Sequence, residues 1–325
     1  MNCIKRFLFL LVLVCLGLVF VGCEKSVTKV GILQLATHPA LGAAKDGFIQ
    51  GLEDAGFKDG KNIEIILKNP EGDSAILNQM AADLVRSCDI VLAIATPAAI
   101  AVQTAAETNG KDIPILFTAV TDAVDAQLVA SNEKPGGNIT GTSDINPVTD
   151  QIDLMKELLP GIKKFGILYN ASEPNSIVQA RLAKEEAAKH EIAVIEKTVT
   201  DVQGLPSAVQ QLINDGAEAF YLPTDNLVAT SMPTIVEKTN AAKVPTVCGE
   251  GGMVSSGGSI TYGINYFNLG KQTAAMAAKI INGTKPADIP VETQPAAQLE
   301  VSANLAAFEE MGIVIPDSIK NRLAK

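Results

Sequence analysis

The chain has 325 residues, of which 47% are hydrophobic and only 4% aromatic, with no tryptophan. That length suits two ordinary domains, and an apolar content made mostly of Ala, Val, Ile and Leu suits buried parallel strands covered by helices. A formal charge of −10, with no basic run after the first six residues, excludes a nucleic-acid surface, which needs clustered Lys and Arg. Two histidines and no metal-type cysteine spacing argue against a metal centre, so neither metal nor cofactor is expected.

The first 22 residues stand apart. Met1 to Arg6 is short and basic, and Phe7 to Gly22 is 16 residues without a charge. That is shorter than the roughly 20 residues of a membrane-spanning helix and has the layout of a secretory signal. Its end, Phe20-Val21-Gly22-Cys23, resembles the bacterial lipobox, whose Cys is lipidated and becomes the new first residue. Phe20 stands where that pattern usually has Leu. An uncleaved anchor, or a plain signal in which Cys23 has no role, are the alternatives. Removing residues 1–22 deletes two basic residues and no acid, so the mature chain is more acidic still. Residues 23–28 then read as a tether. Of the remaining thiols, Cys88 and Cys248 can pair only if their Cα atoms come within about 7 Å. Their apolar settings at strand edges favour free buried thiols.

Strand and helix signals alternate from there. Val30–Leu35, Ile63–Leu67, Ile90–Ala95 and Ile113–Phe117 are short, apolar and β-branched. Leu41, Ala44, Phe48, Leu52 and Ala55 share one helical face, and Gly56 can stop that helix. Ile76, Leu77, Met80, Leu84 and Val85 do the same after Asp73-Ser74, which offers an N-cap. The βαβα order predicts an α/β fold with an open parallel sheet covered by helices. Gly136-Gly137 and Asn146-Pro147 bracket a first passage between lobes. The pattern then restarts, with strands at Phe165–Tyr169, Ile192–Thr198, Ala219–Leu222 and Pro245–Cys248. Helices are expected over 150–159, 175–190 and 205–215. The Gly-rich stretch from Gly249 to Gly258 lacks a phosphate-loop ending and reads as a flexible turn.

The second half repeats the first. Lys29-Val30-Gly31-Ile32-Leu33 through Pro39 aligns with Lys164-Phe165-Gly166-Ile167-Leu168 through Pro174. Ala95-Thr96-Pro97 echoes Pro223-Thr224-Asp225, and Ile113-Pro114 echoes Val244-Pro245. An ordered trio of matches at nearly constant offset points to two lobes of one topology. Each match is a strand end running into a helix start, where open α/β sheets bind ligands and unpaired N–H groups hold anions.

Those junctions supply the candidate binding residues. The first offers Gln34, Thr37, His38, Pro39 and Leu41; the second Thr96, Pro97 and Ala98; the third Thr118, Val120 and Asp122. In the other lobe come Asn170, Glu173, Asn175 and Ser176, then Thr224, Asp225 and Asn226, then Glu250. Each Thr can equally be a plain helix cap, and Asp122 a cap for the next helix. Two carboxylates near a crevice also fit acid–base chemistry. Scarce histidine and the lack of a serine nucleophile elbow favour binding over catalysis.

Taken together, Gly31-Ile32-Leu33-Gln34 with Thr37 to Leu41, Ala93 to Ala99, Phe117 to Asp122, Lys134 to Asn138, Leu168-Tyr169-Asn170, Pro223 to Asn226 and Tyr262-Gly263-Ile264 resemble one family. It is the ABC transporter substrate-binding protein family that includes the tryptophan/tyrosine-binding lipoproteins. The resemblance implies a type I periplasmic-binding-protein fold, two Rossmann-like lobes with parallel sheets joined by three crossings. The lobes would be 29–142 with 265–285, and 143–264 with 286–325. It implies an ABC permease and ATPase as partners. It also implies an extracytoplasmic, lipid-anchored monomer, held in the periplasm or on the outer face of the cell membrane. For the ligand it implies a free amino acid, most readily an aromatic one. A nucleoside, a sugar, or a sensory role feeding a signalling partner are the alternatives. An aromatic amino acid needs a carboxylate cradle, assigned to Thr96 with Ser176 or Thr118. It needs an ammonium acceptor, assigned to Asp225, and an apolar slot, assigned to Leu41, Pro39, Pro97 and Val120. Glu250-Gly251 stands where relatives are expected to carry an Asp-containing variant, which weakens Glu250. Burying the aromatic ring is worth about 4–6 kcal/mol, or roughly mM to 0.1 mM binding, so polar clamps must add the rest.

Overall fold

The computed structural model describes residues 27–324. The leader and Cys23 lie outside the described residues, and Thr28, expected in the tether, already starts the first strand.

The first lobe runs β1 (Thr28–Gln34), α1 (Pro39–Asp54), β2 (Ile63–Lys68), α2 (Ser74–Ser87), β3 (Ile90–Ile94), α3 (Thr96–Thr108), β4 (Ile115–Val120) and β5 (Ile139–Ser143). Its strands are parallel in the order β2-β1-β3-β4-β5. The second lobe runs α4 (Val148–Leu158), β6 (Lys164–Asn170), α5 (Pro174–Lys189), β7 (Ala193–Val199), α6 (Leu205–Asn214) and β8 (Phe220–Leu222). It continues with α7 (Asn226–Thr230), α8 (Met232–Ala241), β9 (Thr246–Cys248), α9 (Gly251–Ser255) and β10 (Ile260–Gly263). Its parallel order is β7-β6-β8-β9-β10, the same winding. The chain ends with α10 (Tyr266–Ile281), β11 (Glu292–Thr293), β12 (Glu300–Ala303), α11 (Leu305–Met311) and α12 (Asp317–Lys320).

The internal repeat has a physical counterpart. β1 and β6 both have 7 residues, α1 and α5 both have 16, and both helices begin on the aligned prolines Pro39 and Pro174. Proline is favoured there because its missing N–H would have no helical partner. Strands β3 and β4 are buried at every position, as expected of central strands covered on both faces. The edge strands β2 and β7 are mostly half-buried or exposed instead, each with one buried residue.

After β10, helix α10 returns to the first lobe and lies against α1 at very short range. A Cβ on Gly270 would sit 2.0 Å from the Ala44 carbonyl oxygen, and one on Gly47 would sit 2.0 Å from that of Phe267. Only glycine permits this approach. β11 then pairs in parallel with β5, and the Thr140 hydroxyl donates to the Ile289 carbonyl at 2.7 Å. The chain therefore stays with the first sheet as far as Thr293, and its last passage falls between Thr293 and Glu300 rather than at 285/286. β12 joins the second sheet antiparallel to β10.

The Gly-rich stretch is also more ordered than its composition suggests. Glu250 caps α9, accepting from the N–H groups of Gly252 and of Met253, the latter at 2.9 Å. The two remaining thiols, Cys88 and Cys248, are buried and free. No described helix is long and apolar enough to cross a membrane.

Candidate ligand-binding site

The carboxyl ends of both parallel sheets face one another, and a cavity lies between them. Half its lining comes from each lobe. The first contributes His38, Ala40, Leu41, Ala119, Thr121, Asp144 and Tyr266. The second contributes Asn175, Thr224, Asp225, Asn226, Ala229, Glu250 and Met253. Among the described residues, two side-chain hydrogen bonds join the lobes directly across the cavity. Gln179 Nε2 donates to Thr121 Oγ1 at 3.2 Å, and His38 Nε2 meets Asn226 Oδ1 at 3.2 Å.

The charge of the lining is of one sign. Asp144, Asp225 and Glu250 are all buried, and no Lys or Arg among the described residues lines the cavity. Asp225 caps α7 through Val228 N–H at 2.9 Å, and accepts from Asn170 N–H at 2.6 Å and the Ser176 hydroxyl at 2.7 Å. Burial nevertheless pushes its carboxyl up to about 7, and the neighbouring Glu173 pushes the same way. Glu250 is also raised to about 7, by burial first and then by Asp144, against the pull of its two helix N–H donors. Asp144 is raised by burial too, although the Tyr266 hydroxyl at 2.6 Å and the Thr121 hydroxyl at 3.1 Å stabilise its charge. Asp144, Tyr266 and Glu250 form one polar end of the cavity, beside the crossings that follow β5 and β10.

Beside this end, the N-terminus of α1 has no side-chain cap, and a Cβ on Gly252 would lie 2.7 Å from Glu250 Oε2 and 2.8 Å from Ala40 N. The N–H groups of Ala40 and Leu41 have no partner among the described residues, whereas Gly42 N–H already bonds the His38 carbonyl. The α5 terminus, its repeat-related counterpart, is likewise uncapped by a side chain. Apolar wall comes from Leu41, Ala119, Ala229 and Met253.

The structure thus gathers seven of the sequence candidates around the cavity: His38, Leu41, Asn175, Thr224, Asp225, Asn226 and Glu250. It places the others elsewhere. Gln34 bonds the Ala36 carbonyl at 2.7 Å, and Thr37 is tied to Glu71 at 2.6 Å on the surface. Pro39 lines a separate groove beside the crossings, and Pro97, Asn170 and Glu173 line a wider groove at the outer rim. Ala98 and Val120 are wholly in the core of the first lobe. Thr118 is spent on a hydroxyl chain, accepting from Thr142, which contacts Thr273 at 2.7 Å. Thr96 is buried without a partner and outside the lining, Ser176 serves Asp225, and Asp122 caps the turn after β4. Of the assigned apolar slot only Leu41 lines the cavity, and none of Thr96, Thr118 and Ser176, assigned to the carboxylate cradle, is in the lining.

Sequence reasoning missed Asp144, Tyr266, Gln179 and Met253. Asp144 and Tyr266 stand where the chain changes lobes, so a register of the crossings would have pointed to them. Gln179 lies on a helix with no motif and gives no local signal.

Comparison with known proteins agrees with this geometry. The family model described as ABC transporter substrate binding protein matches residues 29–325. A tyrosine-binding protein from Clostridioides difficile is 39% identical over 298 residues, covering 91% of this chain and 85% of the relative. The solved ABC domain in complex with L-Trp from Streptococcus pneumonia is 35% identical, covers 92% of this chain and 99% of its own, and superposes with a TM-score of 0.86. The ligand-free, open structure of a substrate-binding protein with adhesive properties from Clostridium difficile is 39% identical over 92% and 98% of the two chains, with a TM-score of 0.69. A two-lobed α/β receptor with a buried interlobe cavity is a small-molecule binder of the type I periplasmic-binding-protein fold, not an enzyme. The chain belongs to the ABC transporter substrate-binding protein family, whose members work outside the cytoplasm with ABC transporters.

Proposed function

We propose that this protein captures a free amino acid with an aromatic side chain in the interlobe cavity and delivers it to an ABC permease and its ATPase for import. The observation that carries the amino-acid reading is the charge of the cavity: three buried carboxylates and no cationic side chain in its lining. Burying like charges without a counter-ion is costly, so the occupied site calls for a cationic group, which an amino acid supplies as its ammonium. Asp144 and Glu250 are its best acceptors. Each of their oxygens takes one protein donor, whereas Asp225 Oδ2 already takes two. The ligand carboxylate belongs at the α1 N-terminus, where the Ala40 and Leu41 N–H groups and the helix dipole favour an anion. The ring then lies against Leu41, Ala119, Ala229 and Met253.

The aromatic preference draws support from the relatives, one named for tyrosine and one solved with L-Trp. The lobes here superpose better on the Trp-bound relative than on the open, ligand-free one, although the latter is slightly more identical in sequence. In this reading ligand holds the lobes closed and the permease recognises that form.

Thermal shift of residues 24–325 against the twenty amino acids and common nucleosides tests the ligand class. Stabilisation by Trp, Tyr or Phe is expected; stabilisation by nucleosides alone would overturn it. The anchor is proposed at Cys23, so Cys23→Ser should release the protein from membranes.

A further inference from the structure

Two buried polar atoms of cavity-lining residues have no partner: His38 Nδ1 in the first lobe and Asn175 Oδ1 in the second. Their surroundings determine what they can do. Asn175 Nδ2 lies 2.7 Å from the Thr224 carbonyl oxygen, which can only accept, and 3.2 Å from Glu173 Oε2. The amide is therefore fixed with its N–H groups away from the free position, and Oδ1 is left as a bare acceptor. Asn226 Nδ2 also donates to Glu173 Oε2, at 2.5 Å, so Asn226 Oδ1 is the atom that faces His38. An oxygen acceptor there requires the His38 proton to sit on Nε2. Burial keeps the ring neutral by pulling its pKa down, so Nδ1 carries a lone pair. Glu173 thus contacts both amides, sharing Asn175 with the Thr224 carbonyl and fixing, through Asn226, the histidine tautomer. It also accepts from Asn226 N–H at 3.1 Å and Leu227 N–H at 3.3 Å, which anchor it to the start of α7, and from Asn170 Nδ2 at 3.4 Å.

We propose that His38 Nδ1 and Asn175 Oδ1 form a subsite for a neutral hydrogen-bond donor on the ligand's side chain, an indole N–H or a phenol O–H. Glu173 is the positioning residue that holds both as acceptors. This rests on the amino-acid reading above and adds the part of the side chain that is selected. Neutral acceptors suit a neutral donor, because an ammonium needs the charged oxygens at the Asp144–Glu250 end. A ligand without the donor leaves two buried acceptors unsatisfied, the situation in which binding sites discriminate most strongly. The site therefore prefers tryptophan and tyrosine to phenylalanine.

The test is calorimetry with L-Trp, L-Tyr and L-Phe on the full mature chain. The wild type should bind Phe at least tenfold more weakly than Tyr or Trp. Asn175→Leu and His38→Leu should each shrink that ratio to about threefold or less. Glu173→Gln should shrink it as well, and imidazole 15N shifts should move His38 away from the Nε2–H tautomer. Equal wild-type binding of Phe and Tyr would overturn the subsite, and that result needs no variant to fold. So would equal losses for all three ligands in the Leu variants, which would give these atoms to the ammonium instead. A wild-type Nδ1–H tautomer would remove the role of Glu173. No binding of any of the three would sink the amino-acid reading itself, and this subsite with it.

Discussion

Thr121→Val changes the side chain's shape little and removes one hydroxyl with two partners. In the closed form that oxygen accepts from Gln179 Nε2 at 3.2 Å and donates to Asp144 Oδ1 at 3.1 Å. Thr121 belongs to the first lobe and Gln179 to the second, and both are essentially inaccessible to water. Gln179 keeps its bonds to Thr224, and Asp144 keeps Tyr266, so neither partner is fully orphaned. The loss is then about 1 kcal/mol for each bond, or about 1–2 kcal/mol in all. Opening the lobes lets water reach the Gln179 N–H, so most of this falls on the closed form alone. Closure is part of the binding free energy, and ligand affinity should drop roughly 5- to 30-fold. Calorimetry with the preferred amino acid measures it, and a thermal melt without ligand serves as the control. Affinity within twofold of wild type would refute the latch. So would a loss of ligand-free stability as large as the loss in binding, since the bond would then hold up the lobe rather than close the cleft.

Three further outcomes follow from the geometry. Asp225 and Glu250 are raised by burial to about 7, above the ordinary carboxylate range. Their contribution to the closed, ligand-free form is therefore full below about pH 4 and fades as pH rises through about 7. Ligand binding has the opposite sense, because an ammonium needs ionised acceptors. Calorimetry should show full affinity above about pH 7 and a fall of roughly tenfold per pH unit below it for each linked proton; equal affinity at about pH 5.5 and 8 would contradict this. Gly270→Ala drives a methyl into the backbone of α1, whose Ala44 oxygen would lie 2.0 Å from the new Cβ. It should lower stability by about 2 kcal/mol or more in urea unfolding, with ligand affinity changed far less in whatever remains folded.

Much of the architecture is legible because it is written in periodicity. The apolar runs of β1, β3 and β4 and the repeat of Pro39 in Pro174 each report local physics, a buried strand or a helix start. The crossings are legible only in part. β11 has two residues and no hydrophobic pattern, and it joins the first sheet through pairing with β5, a non-local contact. The site divides in the same way. Asp225, Asn226 and Glu250 stand next to strand ends and could be read there. Thr118 and Thr96 look identical in sequence to ligand-facing threonines, yet one hydroxyl is consumed by Thr142 and the other lies outside the lining. Gln179 and Asp144 are the clearest cases, since each matters only through partners in distant segments. The flexible reading of Gly249 to Gly258 failed because the Glu250 cap, two and three residues from its donors, outweighs the conformational freedom of the glycines.

The central claim is that the buried carboxylates of the cleft receive a ligand ammonium. Calorimetry comparing L-tryptophan and L-tyrosine with their desamino analogues, indole-3-propionate and 3-(4-hydroxyphenyl)propionate, tests it most directly. These pairs share ring and carboxylate and differ only in the amine. The amino acids should bind, and the analogues should bind at least a hundredfold more weakly at about pH 7.5, since each would leave buried negative charge uncompensated. Comparable affinity within each pair would contradict it.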